Sequence, residues 1–250
     1  MQAIITMHGW LQGLARPPFR GRVEIRYPLS RRASVKDVVE ALGVPHPEIG
    51  SLAIDGHPVG FGHILAPGEY LAVYPLRPPV AVTIPSPLRT AYPDIRFLVD
   101  HNVAKLAAKL RMVGLDAIHH PAWHDAELAA LACSKQRILL SRDVQLLKRR
   151  QVEHGHLVRE CLPDRQLAEV IHFYGLWERL APFSRCMRCN QPLEIVEKSE
   201  VIDLLEPLTK KYYHAFRRCP CCAAIYWAGS HRARMEELLR RLEQYDPLPC

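Results

Sequence analysis

Four cysteines in two CxxC pairs, Cys186-x-x-Cys189 and Cys219-x-x-Cys222, have the types and spacing to bind a metal ion. Each CxxC loop turns two thiolates toward one centre, and two loops complete a tetrahedral site of the zinc kind. Four thiolates leave no open position for water or substrate, so the pattern predicts a structural Zn²⁺ in a small ribbon. Free or disulfide-bonded cysteines are the plainer alternative, and the repeated spacing argues against them. Cys133, Cys161, Cys221 and Cys250 are left over. Cys221 lies inside the second knuckle and His231 just beyond it. Either could substitute as a ligand, but four cysteines already suffice.

A second group of residues suits oxygen chemistry. Asp100 ends the apolar run 96–99, and Asp143 follows the run 138–140 through Ser141 and Arg142. Side chains just beyond the carboxyl ends of parallel strands gather in one crevice. Two carboxylates gathered there repel unless a cation joins them, and Mg²⁺ or Mn²⁺ is a hard ion that takes such oxygens and keeps several waters. Asp125 or Glu127 can supply a third carboxylate. Such a cluster can position water against a phosphodiester and stabilise the leaving oxygen. The bland alternative for an Asp after a strand is a helix cap.

Cations stand near these acids in sequence. Lys105 and Lys109 lie one turn apart after Asp100, Arg142 precedes Asp143, and Lys148, Arg149 and Arg150 follow. Phosphate binding needs such charges, although each alone could be an ordinary solvated helix face. His101, His119, His120 and His124 are close by, each a candidate acid or, more plainly, a surface histidine. Tyr226 and Trp227 suit packing of the ribbon, with base stacking as the sharper alternative.

The elements that must position these groups can be read from periodicity. Val103, Leu106, Ala107, Leu110 and Val113 repeat at helical spacing and stop at Gly114. A strand over 115–119, a helix capped by Asp125 and running through Leu128, Ala129 and Leu131, and a strand over 138–140 complete a βαβ pattern with a parallel sheet. Upstream, the order reads β-β-α-β-β. Val23, Ile25 and Tyr27 alternate, Ser34 and Asp37 form a capping box, Val35, Val38, Val39 and Leu42 make a helical stripe, and residues 70–74 form a last strand. Six prolines between Pro75 and Asp94 predict a stiff, extended linker rather than a core element. Downstream, residues 232–244 read as a charged helix with Met235, Leu238, Leu239 and Leu242 on one face.

Composition sets outer bounds. The chain has 250 residues, 48% of them hydrophobic, enough for two or three small cores. It holds no run of about 18 uncharged apolar residues, so no membrane span is expected. The start lacks the pattern of a secretion signal, and eight cysteines with CxxC spacing suit a reducing, cytoplasmic setting. Net charge is +7, which suits a polyanionic partner such as RNA. Residues 1–84 carry 8 Lys and Arg against 6 Asp and Glu; the remainder carries 25 against 20.

The stretches RFLVDHNVAKLAAKLRMVGLDAIHH and HDAELAALACSKQRILLSRD, then the two knuckles and IYWAGSH, closely resemble the Mut-seven-type C-terminal RNase domain of the PIN-like nucleases. The likeness runs over about 96–235. The segments SVKDVVEALGVPHPEIG and PGEYLAVYP resemble the ubiquitin-like β-grasp modules fused to that domain and related to small sulfur carriers. The resemblance implies a β-grasp domain over 1–76, a Pro-rich linker over 77–94, a PIN-like domain over 95–180, and a zinc ribbon with a C-terminal helix over 181–250. It implies metal-dependent RNA cleavage, with Asp100, Asp125 and Asp143 as the acids. Many PIN nucleases carry another acid shortly after the last of these, where this chain has Val144-Gln145-Leu146. The sulfur carriers act through a C-terminal Gly-Gly, which the run Pro75-Leu76-Arg77-Pro78 lacks, so sulfur transfer is the weakest reading. The leading expectation is a ribonuclease with structural Zn²⁺, catalytic Mg²⁺ or Mn²⁺, and RNA contacts from Lys105, Lys109 and Arg142. The alternative is a non-catalytic RNA- or ribosome-associated zinc protein. tRNA, the ribosome and a protein docked on the β-grasp domain are the candidate partners.

Overall fold

In a computed structural model, residues 2–227 and 229–245 are described, with the side chains of 230–234 and 236 excepted. His231 as a ligand and Cys250 therefore fall outside the described residues. Three sheets organise the described residues.

The first sheet is a ubiquitin-like β-grasp. It contains β1 (Gln2–Met7), α1 (Leu11–Leu14), β2 (Glu24–Pro28), α2 (Val35–Ala41), β3 (Ile49–Ile54), β4 (His57–Pro58) and β5 (Tyr70–Pro75), in the order β2-β1-β5-β3-β4. β1 and β5 run parallel at the centre. The capping box forms as the sequence requires: Asp37 N–H donates to Ser34 Oγ at 3.1 Å, and Ser34 N–H donates to Asp37 Oδ2 at 3.3 Å. Val35, Val38, Val39 and Leu42 then bury against Ile5, Met7, Ile25 and Val73. The expected alternation holds for Ile25, buried, and Tyr27, partly buried against the same core, while Val23, just before β2, is 56% exposed.

The second sheet is wholly parallel. It comprises β6 (Phe97–Val99), α3 (Ala104–Met112), β7 (Ala117–Ile118), α4 (Asp125–Ser134), β8 (Ile138–Ser141), α5 (Val144–Leu147), β9 (Gly155–Leu157) and α6 (Pro163–Tyr174). The order β7-β6-β8-β9 places the reversal of strand order between β6 and β8. α3 and α6 cover one face through Leu106, Leu110 and Val170, while α4 and α5 cover the other through Leu128, Ala132 and Leu146. Each strand therefore buries both faces, which is why all three residues of β6 and all four of β8 are buried.

The proline-rich segment forms no helix or strand, as its residues require, yet it is anchored. Val80 N–H donates to Phe173 O at 2.8 Å, and Val82 and Tyr92 are buried. Arg89, also buried, donates to the carbonyls of His46, Pro47 and Ile49. All three carbonyls face one guanidinium nitrogen, Nη2, which fastens the proline-rich segment to the turn that leads into β3.

The third sheet is a small antiparallel ribbon of β10 (Glu194–Val196), β11 (Phe216–Arg218) and β12 (Ile225–Trp227). Two short helices, α7 (Lys198–Val201) and α8 (Pro207–Tyr212), fill the span between the knuckles, and α9 (Ser230–Glu243) follows. α9 sends Met235, Leu238 and Leu242 into the core beside α6, as its apolar stripe predicts. Among the described residues, no helix is long and apolar enough to cross a membrane.

Candidate functional site

Cys186, Cys189, Cys219 and Cys222 converge, their sulfurs all within 4.8 Å of one another. Cys186 and Cys222 are 3.5 Å apart and Cys189 and Cys219 are 3.3 Å apart. Tetrahedral Zn–S bonds of about 2.3 Å place sulfurs about 3.8 Å apart, so the donor set fits zinc with small adjustment. Cys221 stays exposed and outside the cluster. Tyr226 directs its hydroxyl to Cys186 Sγ at 3.2 Å and accepts the Met187 N–H at 3.1 Å. Burial pushes the Cys186 thiol up, but that hydrogen bond and those of the knuckle amides outweigh it and bring the thiol down to about 6.

The first knuckle is fastened to the parallel unit by residues the sequence reading did not single out. Arg111, buried on α3, donates to Ala117 O at 2.6 Å, Met187 O at 3.1 Å and Arg188 O at 2.8 Å. Asn190, at positive φ, accepts the Ala117 N–H and donates to Asp116. The only sequence signal was an Arg within an apolar helical stripe.

The acidic pair lies at the strand-order reversal. Asp100 leaves β6 and Asp143 follows β8, its neighbour. Ser141 joins them: its Oγ donates to Asp100 Oδ2 at 2.6 Å and accepts the Asp143 N–H at 2.8 Å. Asn102 extends the network, donating to Ser141 Oγ and accepting the Arg142 N–H. Both acids also cap helical turns. Asp100 Oδ1 accepts from His101 N–H at 2.5 Å, and Asp143 Oδ1 from Gln145 N–H at 2.7 Å. Capping fixes each carboxylate's direction and leaves lone pairs on both, since a carboxylate has about four acceptor positions. Carboxylate oxygens are the hard donors that Mg²⁺ or Mn²⁺ takes while keeping several waters.

Asp125 stands differently. His124, not Asp125, is the N-cap of α4, and Glu127 is used in accepting the His124 N–H at 2.9 Å. Asp125 is half-buried and lies 3.7 Å from Arg149. Among the described residues, Asp100, Asp125 and Asp143 do not together form a set of ligand atoms within 4.8 Å; the four cysteines do. Lys105 is exposed on the first turn of α3, whereas Lys109 is turned to Asp164 on α6 at 2.6 Å. Arg142 is exposed, its guanidinium 3.3 Å from Cys161 Sγ. His119 is at the same strand end, with Nδ1 3.0 Å from Val99 O.

A parallel α/β unit with paired strand-end acids, a four-cysteine ribbon and a β-grasp module defines a class of multidomain protein. The Mut7-C RNAse domain matches residues 95–239 and the Mut7-C ubiquitin domain matches residues 4–81. The chain belongs to the Mut7-C RNAse domain family, which supports a ribonuclease-type function. No curated protein matches it. Among solved structures, SAMP1 from Haloferax volcanii is similar at 18% identity over 31% of this chain and 98% of that one, with a TM-score of 0.26.

Proposed function

We propose that the protein is a metal-dependent ribonuclease of the PIN-like class that hydrolyses RNA phosphodiesters at the Asp100–Asp143 edge. The observation that carries the reading is two acids just beyond adjacent parallel strands at the strand-order reversal, one buried hydroxyl, that of Ser141, bonding the Asp100 carboxylate and the Asp143 N–H. Asp100 and Asp143 would hold Mg²⁺ or Mn²⁺, and Asp125 would complete the acidic set through retained water. The ion, when bound, supplies a Lewis acid for the water and the leaving oxygen. Ser141 and Asn102 keep the two acids in register. Lys105 and Arg142, both exposed near the edge, attract phosphate. Gln145 lies in the stretch after Asp143 where many PIN nucleases carry another acid, and its amide can orient water. Four reduced thiolates suit a cytoplasmic setting.

The full chain and its Asp143→Asn variant test the reading. Asparagine preserves shape and removes one ligand charge, so metal affinity and RNA cleavage should fall together. Activity should return to EDTA-treated wild type with Mg²⁺ or Mn²⁺ and not with Zn²⁺ alone. Equal cleavage by wild type and variant would place the activity elsewhere.

The occupation of both acids as helix caps favours a second reading, an RNA-binding protein that does not cleave. Intact RNA after incubation of wild type with Mn²⁺, across structured and unstructured substrates, would select it.

A further inference from the structure

Residues 16–32 of the β-grasp domain hold six arginines and one acid, Glu24. The rest of residues 1–84 holds two cations and five acids, so the domain is strongly polarised. All six arginines are exposed. Among the described residues, only Arg26 has a carboxylate within 4.0 Å, that of Glu24 at 3.9 Å. A fold does not need a crowd of unpaired like charges, and their mutual repulsion opposes compactness.

The position of the segment is set by the end of α2. Arg16 N–H donates to Leu42 O at 2.8 Å, and Lys148 Nζ, from beyond α5, donates to Glu40 O at 2.7 Å. Gly43 permits the approach: a Cβ there would lie 2.7 Å from the Arg16 nitrogen. Leu14, just upstream, packs on the core beneath α4 and α5. Lys148 is also the C-cap of the helix that Asp143 caps at its other end, and Arg149 beside it pairs with Asp125. Arg16 and Lys148 thus meet at the end of α2, and Lys148 and Arg149 follow the short helix that Asp143 caps.

We propose that the arginine-bearing segment 16–32 is an RNA-phosphate surface that leads the RNA strand to the Asp100–Asp143 edge. The β-grasp domain is then a substrate-holding arm, and its missing Gly-Gly is no defect. The inference rests on the ribonuclease reading for the fate of the RNA, but not for its binding.

The test is equilibrium binding of a 5′-labelled single-stranded RNA of about 20 nucleotides to the full chain carrying Asp143→Asn, across a salt series. Arg16→Gln with Arg22→Gln should weaken binding about tenfold and lower the log–log salt slope by about 1.4, two single-strand contacts. Arg188→Gln with Lys211→Gln, on the ribbon, is the charge-matched control and should change both little. Matching thermal melts establish that each chain is folded, and Arg22→Gln alone, at an exposed site, should lower the slope by about 0.7. Unchanged RNA binding, or an equal loss in the control, overturns the proposal. So does an arginine requirement confined to phosphatidylserine vesicles. Wild type that binds RNA through these arginines but never cleaves it would overturn the ribonuclease reading and leave this one standing.

Discussion

Glu48, in the turn before β3, and His156, on β9, meet across the junction of the β-grasp and parallel units with both side chains fully buried, Glu48 Oε1 lying 3.2 Å from His156 Nδ1. The approach is off the line of a hydrogen bond, so the link is between charges. His156 Nε2 faces Glu169 on α6 at 2.9 Å, Arg159 reaches Glu48 Oε2 at 2.5 Å, and Trp10 Nε1 donates to the same oxygen at 3.2 Å. Leu157 N–H donates to the other oxygen at 2.7 Å. Burial pushes Glu48 up, but Arg159 and then His156 outweigh it and hold the carboxyl down to about 2.

Glu48→Gln should therefore be severe. Its single oxygen can serve Leu157 or the Arg159–Trp10 side, and its amide nitrogen then faces a donor. Breaking a buried pair from one side costs about 3–5 kcal/mol. Urea unfolding of the full chain measures it, and adding Arg159→Met should recover part of the loss. A loss below about 1 kcal/mol would mean the junction is held by apolar packing alone.

The same cluster sets the pH profile. Glu48 is depressed from 4.5 to about 2, so its stabilisation is present above 4.5 and is lost as pH falls through about 2. For His156, burial lowers the pKa, but Glu48 and Glu169 outweigh it and raise the value above 6.5. Its stabilisation is complete below 6.5 and is lost as pH rises through the folded value. His46 and His154 are lowered, chiefly by burial, so they erode stability as pH falls below 6.5. Melting temperature should decline on both sides, and His156→Gln should flatten the alkaline limb. An alkaline decline unchanged in that variant would assign it to other groups.

Metal removal gives a third outcome. Pure protein should contain one zinc per chain, and Cys189→Ser should lose it. The β-grasp core, whose buried residues are separate from those of the ribbon, should stay folded. Because Arg111 and Asn190 tie the knuckle to α3 and β7, loss of zinc should also increase amide exchange around Ala117. Zinc absent from wild type by elemental analysis would refute the site.

Legibility followed periodicity and special residues. The knuckles, the Ser34 capping box, the stripe of α3 and the acids at strand ends were all visible, because each depends on local spacing. β9 and α6 were missed. His154-Gly155-His156 reads too polar for a strand, since its burial depends on carboxylates more than ten residues away. α6 did carry signals, with Pro163 in its first turn and Gly175 in left-handed conformation after it. The Glu48–His156 junction had no local signature, and neither did the turn of Lys109 to Asp164, because partners far apart in sequence leave no periodic trace.

Ser141 separates holding the acids from binding RNA. Its side chain is fully buried, and its hydroxyl bridges the Asp100 carboxylate and the Asp143 backbone N–H. Ser141→Ala leaves one Asp100 oxygen without its donor and frees the Asp143 N–H, an unsatisfied arrangement costing about 1–3 kcal/mol. The melt should drop modestly while zinc content and RNA affinity hold, because neither the ribbon nor the arginine segment touches Ser141. Cleavage should fall about tenfold or more, with higher Mn²⁺ restoring part of it, since the acids remain but lose their shared direction. Ser141→Thr keeps the hydroxyl and should retain more activity than alanine if the added methyl is accommodated. Alanine and wild type cleaving alike over a manganese titration would show that the hydroxyl does not position the acids for chemistry.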